Sequence, residues 1–176
     1  MNKIIRLGSL FGLKILAQPT AVFGSLLLWL IFSLAGWLWL DLGVGTAVLT
    51  ALIATFLHFL GEFWHQLGHA WAAKRTGYPM SGVMFLWVLA ASLYPQDEPE
   101  LPARTHIRRA LGGPAASLLM TVLMGLVVWG IRPYTNPFDY LALFFFLDNL
   151  LVFTLGAFLP LGFTDGDTLR HYWPLR

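Results

Sequence analysis

Residues 58–69 read His58-Phe59-Leu60-Gly61-Glu62-Phe63-Trp64-His65-Gln66-Leu67-Gly68-His69. Three histidines and a carboxylate stand here within a long apolar run that ends only at Lys74 and Arg75. Ionisable side chains in a membrane span are costly, so they face a bundle interior, pair with one another and mark a functional site. This stretch therefore implies a membrane-embedded helix with an inward polar face. For any single histidine, a hydrogen bond inside the bundle is the favoured reading.

Composition agrees. The chain has 176 residues, enough for one domain. It is 57% hydrophobic and 11% charged, with a mean hydropathy of +0.68. A soluble domain carries about 25% charged residues, so the expected class is an α-helical integral membrane protein. The aromatic share of 15%, with eight Trp, fits interfacial belts. There is no cysteine, so metal ligands must come from His, Asp or Glu, and no disulfide speaks for the compartment. No secretory signal with a cleavage site is evident. No nucleic-acid partner is expected; the lipid bilayer is the partner that composition demands.

Outward from the histidines, four spans are expected, at about 20–40, 46–73, 110–131 and 138–159. Residues 1–19, with Lys3, Arg6 and Lys14 among apolar side chains, read as a basic amphipathic lead-in on the cytoplasmic face. Residues 82–94 are apolar but too short to span, which predicts a re-entrant piece or a β-hairpin buried against protein. Pro95 to Pro102 is an acidic, proline-rich loop. All of Lys and Arg but Arg132 fall in the amino-terminal segment, the 74–109 region and the tail. The positive-inside rule then places both termini in the cytoplasm.

On a helix at about 100° per residue, positions 58, 62, 65 and 69 fall within about 60° of one another. His65 and His69, four apart, can hold one metal through two imidazoles. Lys74 marks the interface, so His65 lies roughly 13 Å deep at 1.5 Å per residue. The core His65-Gln66-Leu67-Gly68-His69 is one residue from the His-Glu-x-x-His pattern of zinc peptidases. A catalytic zinc needs a third protein ligand and an open position. Asp165 is the first candidate, just past the fourth span; Asp148, deeper in that span, and Asp167 are the others. Asp165-Gly166 could equally be a turn or helix cap.

Three ordered motifs extend the pattern. His65-Gln66-Leu67-Gly68-His69 is followed by small residues. Gly113-Pro114-Ala115-Ala116-Ser117 opens the next span. Ala157-Phe158-Leu159-Pro160 leads on to Asp165-Gly166. With the lead-in Phe11-Gly12-Leu13-Lys14 to Pro19-Thr20, they resemble the site-2 protease family of intramembrane zinc metalloproteases over nearly the whole chain. The resemblance implies zinc held by His65, His69 and Asp165. It implies a cytoplasm-facing site that cleaves transmembrane segments of membrane proteins, in a prokaryotic inner membrane. Residues 82–94 would be the membrane-embedded sheet presenting an extended substrate, and Gly113, Pro114 and Ser117 would contact it. With no PDZ or CBS module apparent, the chain reads as a minimal, single-domain core.

Three positions depart from the family pattern. Gln66 stands where the family has its general-base glutamate, and Ser117 and Ala157 stand where it has asparagines. Glutamine cannot accept a proton at neutral pH, and loss of a general base costs on the order of 10²–10⁴ in rate. The chain as written is therefore expected to bind zinc and hydrolyse little. An engineered Glu-to-Gln exchange is the first explanation, because every expected ligand remains. A natural pseudoprotease, serving as a non-catalytic subunit of a membrane complex, is the second. A subunit without metal is the third. His58, Glu62 and Asp167 receive no assigned role; a contact behind the ligands is the plainest one for Glu62. His106 and His171 are read as interfacial.

Overall fold

A computed structural model describes residues 4–176. The lead-in expected over residues 1–19 as an amphipathic interfacial segment folds, where described, as a β-hairpin; residues 1–3, with Lys3, lie outside the described residues. Strands β1 (Ile5–Leu10) and β2 (Leu13–Ala17) pair antiparallel across Phe11-Gly12, both of which have positive φ, 52° and 82°. Leu13 and Ala17 are buried while Lys14 between them is exposed, the period-two pattern of a strand. Strand β2 runs parallel to β3 (Gly82–Leu86), with Lys14 opposite Gly82, and β3 turns back into β4 (Leu89–Leu93). The sheet order is β1-β2-β3-β4. The expected hairpin at 82–94 is thus half of a four-stranded sheet.

Four helices are long and apolar enough to cross a membrane. Helix α1 covers Pro19–Trp39 and α2 covers Val44–Arg75, both within two residues of the expected spans. Helix α3 covers Ala103–Gly130 and begins earlier than residue 110. The early start takes Arg109 into the helix. Arg109 is buried there because Glu98 accepts two hydrogen bonds from it, at 2.5 and 2.9 Å, and the Tyr78 carbonyl accepts a third at 2.5 Å. Pro114, expected near the opening of this span, lies well inside it. The fourth span starts as helix α4 (Pro137–Asp148), widens to a π-helical turn over Asn149–Leu155 and tightens over Gly156–Phe158. A short helix, α5 (Asp165–Tyr172), follows.

Glycines set the closest approaches. A Cβ on Gly68 of α2 would overlap the Gly112 carbonyl of α3, and a Cβ on Gly112 would meet the Gly68 carbonyl at 2.5 Å. The two helices therefore touch backbone to backbone, the close packing that small residues permit between membrane helices. Gly24 of α1 lies in the same way against the backbone of Trp87 at the tip of the β3–β4 hairpin. Leucines and phenylalanines such as Leu30, Phe56, Leu118 and Leu126 point outward and stay exposed, as lipid-facing residues do.

Gly68→Val should be strongly destabilising, since the atom it meets is backbone and cannot rotate away; overpacking costs about 1–3 kcal/mol even where side chains can yield. Gly45→Ala is the control, because nothing lies within 4 Å of a Cβ there. Thermal unfolding in detergent, followed by tryptophan fluorescence, should show a large drop for the first and none for the second.

Candidate metal centre

The sequence places His65 and His69 one turn apart on α2, and the structure closes Asp165 onto them. His65 Nε2 lies 3.2 Å and His69 Nε2 3.4 Å from the Asp165 carboxylate, and the two Nε2 atoms are 3.0 Å apart. One ligand atom from each of the three residues lies within 4.8 Å of the others. Asp165 reaches them from the first turn of α5, where Thr164 and Asp167 form a reciprocal capping box that fixes the helix start. Asp167 is spent on that cap and does not approach the histidines. Burial works against ionisation of Asp165, but hydrogen bonds from His65 and His69 outweigh it and hold its carboxyl below the usual range.

The other ring nitrogens are committed. His65 Nδ1 is 3.0 Å from the Ser117 hydroxyl, and His69 Nδ1 is 2.8 Å from the Arg109 carbonyl. Such outer contacts orient an imidazole and leave the opposite nitrogen free for a metal. Gly113 completes the fit: a Cβ there would overlap Nε2 of both histidines. Gly113 and Ser117, expected against substrate, thus sit directly behind and beside the histidine pair. Pro114 is buried in α3. No signal in the sequence assigned Ser117 this contact, though its spacing of four from Gly113 puts both on one helix face.

Asp148 is not a ligand of this group. Its carboxylate pairs with His58 Nδ1 at 3.1 Å, and His58 Nε2 lies 2.7 Å from the Val88 carbonyl. The ring therefore bridges α4 to the β3–β4 turn. Glu62 and Gln66 continue along the same side of α2. Glu62 Oε1 accepts the Ala90 N–H at 2.8 Å. The Gln66 amide nitrogen donates to the Ala90 carbonyl at 3.0 Å and to Glu62 Oε1 at 3.2 Å, while its oxygen accepts from the Ser92 hydroxyl at 2.7 Å. Positions 58, 62 and 66 thus hold backbone groups of Val88 and Ala90 along the outer edge of β4.

Glu62, His65, Gln66, His69 and Asp165 line a cleft of about 810 Å³ between α2, the β3–β4 hairpin and the segment from Phe153 to Thr168, Ala157 among them. Tyr94 and Glu98 stand at its rim. Burial pushes the Tyr94 hydroxyl up to about 12, and the Arg109 guanidinium beside Glu98 holds that carboxyl below its ordinary range. His106 stacks on Tyr172 with ring centroids 4.0 Å apart.

This architecture is that of a site-2 protease. The structure of the site-2 protease from Methanocaldococcus jannaschii superposes with a TM-score of 0.68 over 98% of this chain and 72% of that one, at 16% identity. A Synechocystis sp. protein provisionally named a zinc metalloprotease is 32% identical over 135 residues, 75% of this chain. The chain spans about a third of that relative's length, 34%. No family model matches. The resemblance read from the motifs holds for the fold: the chain has a site-2 protease-like membrane fold, and a relative carries the zinc metalloprotease name.

Ser117→Ala should free His65 Nδ1 and weaken metal binding about 10–100-fold, the usual cost of losing such a contact. Competition with a chromophoric zinc chelator measures it, and an unchanged affinity would remove Ser117 from the site.

Proposed function

We propose that the chain binds zinc in the site-2 protease manner and receives a transmembrane segment of another membrane protein in its cleft, with peptide-bond hydrolysis suppressed at Gln66. The observation that carries this is the convergence of His65, His69 and Asp165 within 4.8 Å. Two imidazoles with their far nitrogens committed, plus one ionised carboxylate, are a donor set that suits zinc. His65, His69 and Asp165 would hold the zinc ion, which would supply the Lewis acidity that lowers the pKa of water and polarises a carbonyl.

The chain's own residues supply the rest of the reading. Gln66 has both ends of its amide bonded and no basic atom. Glu62, the nearest carboxylate in sequence, has Oε1 engaged by Ala90 and Gln66. The distribution of Lys and Arg supports an orientation with both termini cytoplasmic. Substrate, lipid and the members of a membrane complex are the partners under this reading.

A second reading, a natural non-catalytic subunit, is favoured by the surroundings of Gln66. Its amide nitrogen faces a carbonyl and a carboxylate oxygen, both acceptors. A glutamate there would keep the Ser92 hydroxyl as a donor to one oxygen but would turn the other toward two acceptors. The amide nitrogen therefore serves two acceptors that a glutamate oxygen would not.

One experiment addresses both. Purified chain should hold one zinc, and His69→Ala should lose it; unchanged zinc content would overturn the ligand assignment. Gln66→Glu, incubated in detergent with a membrane protein carrying a transmembrane segment, should raise cleavage by on the order of 10²–10⁴. Bound zinc without cleavage in either form would select the non-catalytic reading.

A further inference from the structure

A second cavity lies on the far side of α2 and shares no lining residue with the cleft. It is a groove of about 1070 Å³ between α2 and α3, roofed by the β1–β2 turn. Its wall is apolar: Trp64, Leu67, Trp71, Leu111 and Leu119 line it, and Gly68, Gly112 and Ala115 flatten its floor. Trp64 is fixed in place, its indole N–H donating to the Ala116 carbonyl at 2.6 Å.

Two cations stand at one end. Lys74, in the last turn of α2, and Arg108, in the second turn of α3, both line the groove and are both exposed. Neither forms an ion pair among the described residues, and no acidic side chain lines the groove. Arg75 beside them is held over the Trp71 ring at 4.5 Å, which adds positive charge and an aromatic anchor at the same level. Ten residues separate Trp64 from Lys74, about 15 Å of helix at 1.5 Å per residue, a length that suits one acyl chain within one leaflet.

We propose that this groove is a binding site for an anionic phospholipid, with the phosphate between Lys74 and Arg108 and an acyl chain along Trp64, Leu67 and Leu119. Charge selects the occupant. An uncharged or zwitterionic lipid would fill the apolar wall equally well but leave two unpaired cations facing its headgroup. A basic side chain at a membrane surface favours anionic lipid about fivefold, from about 1 kcal/mol per residue. Two acting together give a preference of roughly 25-fold.

The test is reconstitution of the full chain in vesicles of equal phosphatidylglycerol and phosphatidylcholine, followed by gentle extraction and native mass spectrometry. Retained lipid should be phosphatidylglycerol, roughly 25-fold over phosphatidylcholine. Lys74→Gln with Arg108→Gln should abolish the preference, whereas Arg104→Gln with Arg170→Gln, the same charge change elsewhere, should keep it. Ala115→Trp, which fills the floor and leaves both cations, should reduce retention of either lipid. Equal retention of the two lipids would overturn the proposal. So would a preference that survives loss of Lys74 and Arg108, or a dimer that excludes lipid from the groove.

Discussion

Every polar atom on the inner face of α2 must find a protein partner, because hydrocarbon offers none. The rest of the fold is arranged to meet that demand. One row, His58, Glu62 and Gln66, is satisfied by the β3–β4 hairpin together with Asp148. The adjacent row, His65 and His69, is satisfied by α3 behind and Asp165 in front. A sheet edge buried in a membrane protein has the matching problem, a line of unpaired backbone groups. Helix α2 and strand β4 solve each other's deficit, and this explains why so short a sheet lies against the bundle.

That solution constrains the chemistry at position 66. A side chain that braces β4 must donate to the Ala90 carbonyl, whereas a general base must hold a free lone pair near the reacting water. Glutamine meets the first requirement and fails the second. A glutamate would also put a second carboxylate about 3 Å from Glu62, and like charges that close do not both ionise. The same bonds occupy the backbone of Ala90 on the outer edge of β4, where an added strand would have to pair. Bracing of Gln66 and occupation of that edge thus follow from one set of contacts.

Much of this was legible in the sequence. The four spans show in hydropathy, and the candidate trio shows in the one-turn spacing of His65 and His69 and in the position of Asp165 past a proline. What escaped depends on pairing over distance. Residues 5–17 carry apolar side chains on both faces, so no alternation marks them as strands; they become strands by pairing with β3, which lies far off in the chain. Asp148 read as a rival ligand because composition alone cannot tell which histidine a buried carboxylate faces. The early start of α3 depends on Glu98 neutralising Arg109, an ion pair between a loop and a helix. The contact of Ser117 with His65 likewise exists only once α2 and α3 are packed.

That packing is itself set by missing side chains. Gly68 and Gly112 let α2 and α3 meet at their backbones, and Gly113 leaves the space that the two Nε2 atoms share. The hydroxyl of Ser117 lies 3.0 Å from His65 and the carbonyl of Arg109 lies 2.8 Å from His69, so both outer contacts of the histidine pair come from α3. Any residue that wedged the two helices apart would lengthen both contacts together and release both rings. The same displacement would widen the groove on the opposite side, whose floor is made of the same two glycines. The geometry of the metal centre and the shape of the lipid-facing groove are therefore two faces of one helix crossing.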